Sequence, residues 1–402
     1  MLDDTTGDAA TAVAAPDEPL GVIGVGMTAF TRGTSRSPIE SLVVAADRAL
    51  SDASIEPADL DSIHVGTMAP EAFAGRTGLA NAVAGQFGVT DCSAHRVENT
   101  SASGASAILD AVDAIRAGRA DVALVIGGEL MSPADTATAT DIVSGVVHDA
   151  EYAQGVTLPG FGGLAADRYL RVHDADRRAL ARVAVKNHAN AAHNPYAQFQ
   201  TPITVEDVLD SPPVADPLRL YDCCPISDGA AAAVLASEAD GVQVAACANA
   251  LGTHAVADRD DPLEIRSVRE AGATAYEAAG FGPDAVDVAC IHDAFTILEW
   301  LEMEELGLAD TGEAWRLTAD GATDIDGDLP INPGGGLKAR GHPLGATGVA
   351  QLVELVWQLR GDPPTESEDA DARTVDGADR GLAVNVAGFG NNSVCTLLEG
   401  AP

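Results

Sequence analysis

The sequence predicts an α/β protein made of two duplicated halves, with a less regular segment inserted in the first. Three observations carry this. The chain has 402 residues, long for one core and suited to two fused halves. Apolar runs of strand length alternate with stretches of helical period from Gly21 onward. One segment also repeats: SGASAILDAVDAIR, Ser103–Arg116, can be laid on TGVAQLVELVWQLR, Thr347–Arg360. Each starts with hydroxyl–Gly, keeps its apolar positions in phase and ends in Arg near a Gly. Each is followed by an apolar strand, Asp121–Ile126 in one case and Leu382–Val386 in the other. A duplicated α/β domain brings two helix N-termini to one central crevice, a good place to stabilise negative charge.

The elements follow in order. Residues 1–18 read as a disordered acidic tail. Gly21–Gly26 is a buried strand whose glycine spacing does not fit G-x-G-x-x-G. Ile39–Ser51 has helix signals, Ser62–Val65 is an apolar strand, and Thr77–Phe87 alternates small and apolar residues as a tightly packed helix would. His95–Glu98 reads as a short strand. Gly104–Ala117 is a helix closed by Gly118. A segment of about 130–220 is richer in Pro and His and less regular, with one amphipathic stretch, Arg177–Ala191. After Asp228 the alternation resumes, and Asp362–Asp371 is an acidic surface loop. The expected division is a tail at 1–18, an N-terminal half at 19–255 that includes the insert, and a C-terminal half at 256–402.

Composition narrows the class. Hydrophobic residues make up 46% of the chain, which implies a well-folded globular enzyme. There are 61 acidic and 23 basic residues, a net charge of −38, and only two lysines, Lys186 and Lys338. Such a surface repels nucleic acid and anionic membranes. Its self-repulsion is relieved in molar salt, where the Debye length is ~3 Å, so a halophile's protein is expected. The N-terminal segment lacks the basic start and apolar core of a signal peptide. The run Val122–Ile126 is too short to span a bilayer. A soluble, cytoplasmic protein follows. The six cysteines, at 92, 223, 224, 247, 290 and 395, form no Cys-x-x-Cys pair, and no His cluster has zinc-ligand spacing. Reduced thiols and no metal are expected; the vicinal pair Cys223–Cys224 is read as structural.

Three local patterns carry chemistry. In Glu98–Gly104, ENTSASG, a strand turns sharply into a helix and presents Ser101 to the crevice. The helix dipole would favour the anion it becomes, although a Ser there also serves as an ordinary N-cap. In Ile291–Phe295, IHDAF, a histidine ends an apolar strand, where α/β active sites are built. In Asn332–Gly348, NPGGGLKARGHPLGATG, glycines flank His342 and permit close approach to a ligand. This run is not a phosphate-binding loop, because Lys338 is followed by Ala.

Together these patterns resemble the thiolase superfamily, and the resemblance covers the chain from about Gly21 to Leu398. Gly-His-Pro-Leu-Gly-Ala-Thr-Gly is highly specific. His292-Asp-Ala-Phe-Thr looks like the sterol-carrier-type branch. So do Lys186-Asn-His188, Asn194-Pro195 and Cys223-Cys-Pro-Ile-Ser-Asp-Gly-Ala230, which archaeal relatives share, and Asn385-Val-Ala-Gly-Phe-Gly-Asn391 resembles the terminal glycine loop. The resemblance implies a five-layered αβαβα fold, usually dimeric, with the insert as a loop domain over coenzyme A. The family nucleophile position holds Ser101 instead of Cys, and Cys92 lies too far upstream to replace it. The second family cysteine is also absent, with Val384 in its place.

The implied activity is that of an acetyl-CoA C-acyltransferase, or β-ketothiolase. It condenses acyl-CoA with acetyl-CoA, or runs the reverse thiolysis, through an acyl-serine. The substrates are coenzyme A thioesters, and no bound cofactor is expected. His342 would take the proton from Ser101. Backbone N–H groups of Ser101 and of the Gly388–Gly390 loop would hold the first oxyanion. His292 would remove the acetyl Cα proton or at least stabilise the enolate; alternatively it only holds a water in an oxyanion hole. Among basic residues, Arg177 and Arg178 are candidates for the coenzyme A phosphates, against a plain reading as charges balancing their own helix. A homodimer or dimer of dimers is implied, with a small zinc-ribbon/OB-fold protein as a further partner. Two other readings stand beside this one: a ketoacyl-synthase-like condensing enzyme, and a silent thiolase-fold subunit that binds coenzyme A.

Overall fold

The computed structural model describes residues 11–12 and 19–401. Its strands are β1 (Thr11–Ala12), β2 (Leu20–Met27), β3 (Ser62–Gly66), β4 (Ser93–Val97), β5 (Val122–Leu130), β6 (Pro213–Ala215), β7 (Leu218–Arg219), β8 (Asp228–Ser237), β9 (Val242–Leu251), β10 (Val288–Cys290), β11 (Arg380–Ala387) and β12 (Asn392–Glu399). Of the segment expected to lack structure, β1 pairs with β9; positions 1–10 and 13–18 lie outside the described residues.

Strand order shows the duplication. The first half runs β4-β3-β5-β8-β2 and the second β10-β11-β12-β9. Ile331 bridges Ala289 of β10 in parallel, the place β4 holds beside β3. In each half the next pair is parallel, β3 with β5 and β10 with β11, and the outer pairings are antiparallel. The halves meet where β2 and β9 share only Gly21↔Gln243 and Val22↔Val242. Strand β9 pairs along its length with β12. The second repeat therefore starts at Val242, ahead of the seam drawn at 255/256. Its alanine-rich sequence hides this strand from a reading by period.

The repeated segments are the helices Ser103–Arg116 and Thr347–Arg360. They fill the layer between the two sheets, where Ile108, Val112, Val349, Leu352, Val353 and Val356 share one buried cluster with residues of β2, β8, β9 and β12. On the outer face of the first half pack Pro38–Ala53 and Leu79–Phe87. On that of the second pack Arg266–Ala279 and Thr296–Glu305, joined by Leu158–Val172 and Arg177–Ala191 of the insert. The result is helix, sheet, helix, sheet, helix. Local chemistry supports it: Ser37 caps the first helix in a reciprocal box with Glu40, with Pro38 opening the turn.

The insert is more helical than its composition implied. It contains Thr136–Ser144, Asp149–Tyr152, Leu158–Val172, Arg177–Ala191 and Val205–Asp210. The second-half core decides this: Phe161, Ala165 and Tyr169 are buried in it despite the glycines and proline at the helix start. Among the described residues, no helix is long and apolar enough to cross a membrane.

Candidate active site

Strand β4 runs into a tight turn that carries Ser101. Thr100 has φ of 45°, an uncommon backbone for a β-branched residue, of the strained kind that clusters at functional sites. The turn is fastened by Ser103, whose hydroxyl donates to the Thr100 carbonyl (2.6 Å) and accepts from the Asn99 N–H (2.9 Å). The helix Ser103–Arg116 starts immediately afterwards. Its partner in the second half approaches without intervening side chains. A Cβ on Gly104 would lie 2.5 Å from the Gly345 carbonyl oxygen, and one on Gly348 would lie 2.4 Å from the Ala105 nitrogen. Glycine at these two positions lets the two helix starts meet.

Ser101, His292 and His342 line one cavity together with Cys223, Cys224, Phe295, Leu344 and Gly388; Val143, Leu158 and Pro159 of the insert cover it. Ser101 is 4% exposed, His292 2% and His342 4%. The two imidazoles meet edge to face with ring centroids 5.1 Å apart. His342 is held by its N–H donating to Ser227 Oγ (3.0 Å) and by Nδ1 against Thr347 Oγ1 (2.7 Å). His292 is held by its N–H donating to Glu302 Oε2 (2.9 Å) and by Nδ1 accepting from the Asn385 side-chain amide (2.7 Å). Because Asn385 Nδ2 can only donate, the Nε2 of a neutral His292 carries the hydrogen.

Burial pushes both histidines down. His342 falls to about 3, with the charges of Lys338 and Arg340 adding to desolvation. His292 lies well below the usual range through burial, then through His342 and Lys338. Both are neutral near pH 7. Lys338 is buried and donates to the carbonyls of Asp222 (2.6 Å) and Ala294 (2.9 Å). The aspartate after His292 is a strut: Asp293 accepts from the Leu337 N–H and the Asn187 amide, both at 2.7 Å. A Cβ on Gly336, whose φ is 56°, would sit 2.6 Å from that carboxylate. The two histidine loops are thereby tied together.

The other named residues divide. Gly388 lines the cavity. Gly390 does not; its carbonyl accepts from Ser267 Oγ (3.0 Å). Arg177 pairs with the fully buried Asp222, and Arg178 forms an exposed pair with Glu206 (2.6 Å). Neither arginine lines the cavity. Val384 is buried in β11 opposite Cys395. Sequence reasoning missed that the cavity wall contains Cys223 and Cys224. Burial raises these thiols to about 12 and about 11, so neither is a ready thiolate. It also missed Asn385 and Thr347. Thr347 was accessible, since it opens the repeated helix five residues after His342.

Ser101 and two neutral imidazoles thus line one cavity where two helix starts meet on a duplicated α/β scaffold. The chain belongs to the thiolase family. The thiolase N-terminal domain matches residues 20–239 and the thiolase C-terminal domain-like family residues 248–400. Acetyl-CoA acetyltransferase of Methanothermobacter thermautotrophicus is 41% identical over 386 residues, covering 94% of this chain and 98% of that protein. Human sterol carrier protein 2 is 34% identical over 402 residues, covering 94% of this chain and 71% of that protein. Among solved structures, the Ltp2-ChsH2(DUF35) aldolase superposes with a TM-score of 0.80 at 25% identity, covering 95% of this chain and 98% of that one. The chain is an acyltransferase of the thiolase type.

Proposed function

We propose that this protein is an acetyl-CoA C-acyltransferase that works through an acyl-serine on Ser101. The observation that carries this is the convergence of Ser101, His342 and His292 on one cavity whose two thiols are both raised far above neutral pH. Ser101 Oγ attacks the thioester carbonyl carbon and passes its proton to His342. The C–S bond breaks, and coenzyme A leaves with that proton. His342, neutral again, removes the Cα proton of acetyl-CoA. The enolate carbon attacks the acyl-serine, the C–C bond forms, and the Ser101 alkoxide leaves with the proton from His342.

His292 donates Nε2–H to the enolate oxygen. This is the stabilising half of the role expected from the sequence, and the Asn385 hydrogen bond favours it over proton abstraction. The backbone N–H groups of Ser101 and Gly388 receive the first oxyanion. A serine lacks the few per cent of thiolate that a cysteine has unaided near neutral pH, so the enzyme is slower than a cysteine thiolase.

The test is loss of the 3-ketoacyl-CoA enolate absorbance on adding free coenzyme A in molar salt, with mass spectrometry of the trapped intermediate. Ser101→Ala abolishes turnover and Ser101→Cys retains it. Iodoacetamide spares the wild type and inactivates the Cys variant. Rapid inactivation of the wild type would place the acyl group on a native thiol instead, and absence of any turnover would leave the silent-subunit reading.

The acidic surface supports a haloarchaeal, cytoplasmic enzyme, with activity that rises with KCl. A homodimer acting with a small zinc-ribbon/OB-fold protein is the proposed assembly. The structural similarity to the Ltp2-ChsH2(DUF35) aldolase supports a partner. Full activity from the purified chain alone would remove that requirement.

A further inference from the structure

We propose that His64, His95 and Asp110 form a structural divalent-cation site of the zinc class at the edge of the first-half sheet, apart from the Ser101 cavity. His64 on β3 and His95 on β4 are direct neighbours in register across the parallel pair. Their rings meet edge to face with centroids 4.7 Å apart. Asp110, on the helix Ser103–Arg116, reaches up between them. Its Oδ2 lies 2.9 Å from His64 Nδ1 and in contact with His95 Nε2. The three ligand atoms all lie within 4.8 Å of one another. A tetrahedral ion with bonds of about 2.0 Å needs ligand separations of about 3.3 Å, so small side-chain rotations admit it.

Two further features point to a ligand site. His64 Nε2 is 3.0 Å from Ser62 Oγ, so the ring is held from behind with Nδ1 turned towards Asp110, as outer partners hold metal-binding histidines. Exposure is graded: the His64 side chain is 1% exposed, His95 47% and Asp110 40%. One ligand is fixed in the core, two face solvent, and water can complete the coordination. No metal was expected from the sequence, because Asp110 stands 46 residues from His64 and 15 from His95, unlike any short ligand spacing. A bound ion would staple edge strand β4, which leads directly to Ser101, to the central helix.

The experiment uses the full chain, stripped with chelator in molar KCl and titrated with Co²⁺, then Zn²⁺. Expected are one Co²⁺ per chain, ligand-field absorption without sulfur charge transfer, displacement by Zn²⁺, and a higher Tm with Zn²⁺. His95→Gln, at a half-exposed position, should weaken binding at least tenfold while the circular dichroism is unchanged. Asp110→Asn should do the same, and Ser62→Ala should weaken it about 10–100-fold. No saturable uptake would overturn the site and leave a plain His–Asp–His hydrogen-bond bridge. So would uptake that His95→Gln and Asp110→Asn leave unchanged, or thiolate charge-transfer bands.

Discussion

His342 and His292 share one cavity, nearly the same burial and the same neutral charge state, yet they are held by opposite partners. His342 Nδ1 faces a hydroxyl, Thr347, which can accept from the ring and leave Nε2 free as a base. His292 Nδ1 faces an amide donor, Asn385, which fixes the hydrogen on Nε2. In the proposed mechanism the atom behind each ring assigns the chemistry in front of it. The two partners come from different places. Thr347 opens the repeated central helix, and Asn385 lies in β11, which follows that helix.

The largest expected effect breaks this comparison outright. His342→Asn should lower acylation of Ser101 by about 10²–10⁴-fold, the usual worth of a general base. The readout is the burst of coenzyme A released from acyl-CoA. His292→Ala should leave that burst largely intact but abolish condensation and the exchange of acetyl-CoA methyl protons into deuterated solvent. Equal loss of the burst in both variants would mean the two rings act as one unit.

How much of this was legible beforehand follows from what periodicity and motifs record. The repeated helices, β2, β3 and the three cavity residues were readable because they lie in apolar runs or dense glycine motifs. Strand β9 and the helix Leu158–Val172 were not, because alanines and glycines blur the period and tertiary burial decides them. The clustered basic residues left Arg177 open as an anion site or as a charge balancing nearby acids; in the fold it pairs with Asp222, which also accepts from Thr296 Oγ1 (2.9 Å). The Asn385–His292 contact joins positions 93 residues apart, and no local pattern announces it.

Exchanging the partner sharpens the contrast. Asn385→Asp puts an acceptor behind His292, draws the ring hydrogen to Nδ1 and removes the donor from Nε2. Condensation should fall about 10²–10³-fold, as for loss of one oxyanion donor, while the acylation burst survives. The new carboxylate also favours a charged imidazole, so the residual condensation should become pH-dependent closer to neutrality. An unchanged condensation rate would show that Nε2–H is not used.

Where the histidines agree, a third measurement should find them alike. Both have folded pKa values below the unfolded value of ~6.5. The unfolded chain therefore binds more protons as pH falls, and stability drops with falling pH. Their contribution is complete above ~6.5 and is lost progressively below it, down to about 3 for His342. Each adds at most ~1.4 kcal/mol per pH unit. In denaturant titrations at constant high salt, His342→Asn and His292→Asn should each remove about one proton from that slope. A slope unchanged by either variant would show that the ring titrates normally when folded.

The smallest effect tests the hydroxyl behind His342. Thr347→Val keeps the shape of the side chain but leaves Nδ1 without its 2.7 Å partner, and an unpaired buried polar atom costs ~1–3 kcal/mol. Part of that cost falls on the tautomer with a hydrogen on Nδ1, the one that leaves Nε2 free to take the Ser101 proton. The acylation rate should drop about tenfold, since ~1.4 kcal/mol is one decade. Thr347→Ser should restore it, because the hydroxyl is what the ring requires. Thr347 also opens the central helix, so lowered stability alone would not separate the two roles. A purely structural loss would lower the acylation burst amplitude through unfolded enzyme, whereas loss of the tautomer preference lowers the burst rate at full amplitude.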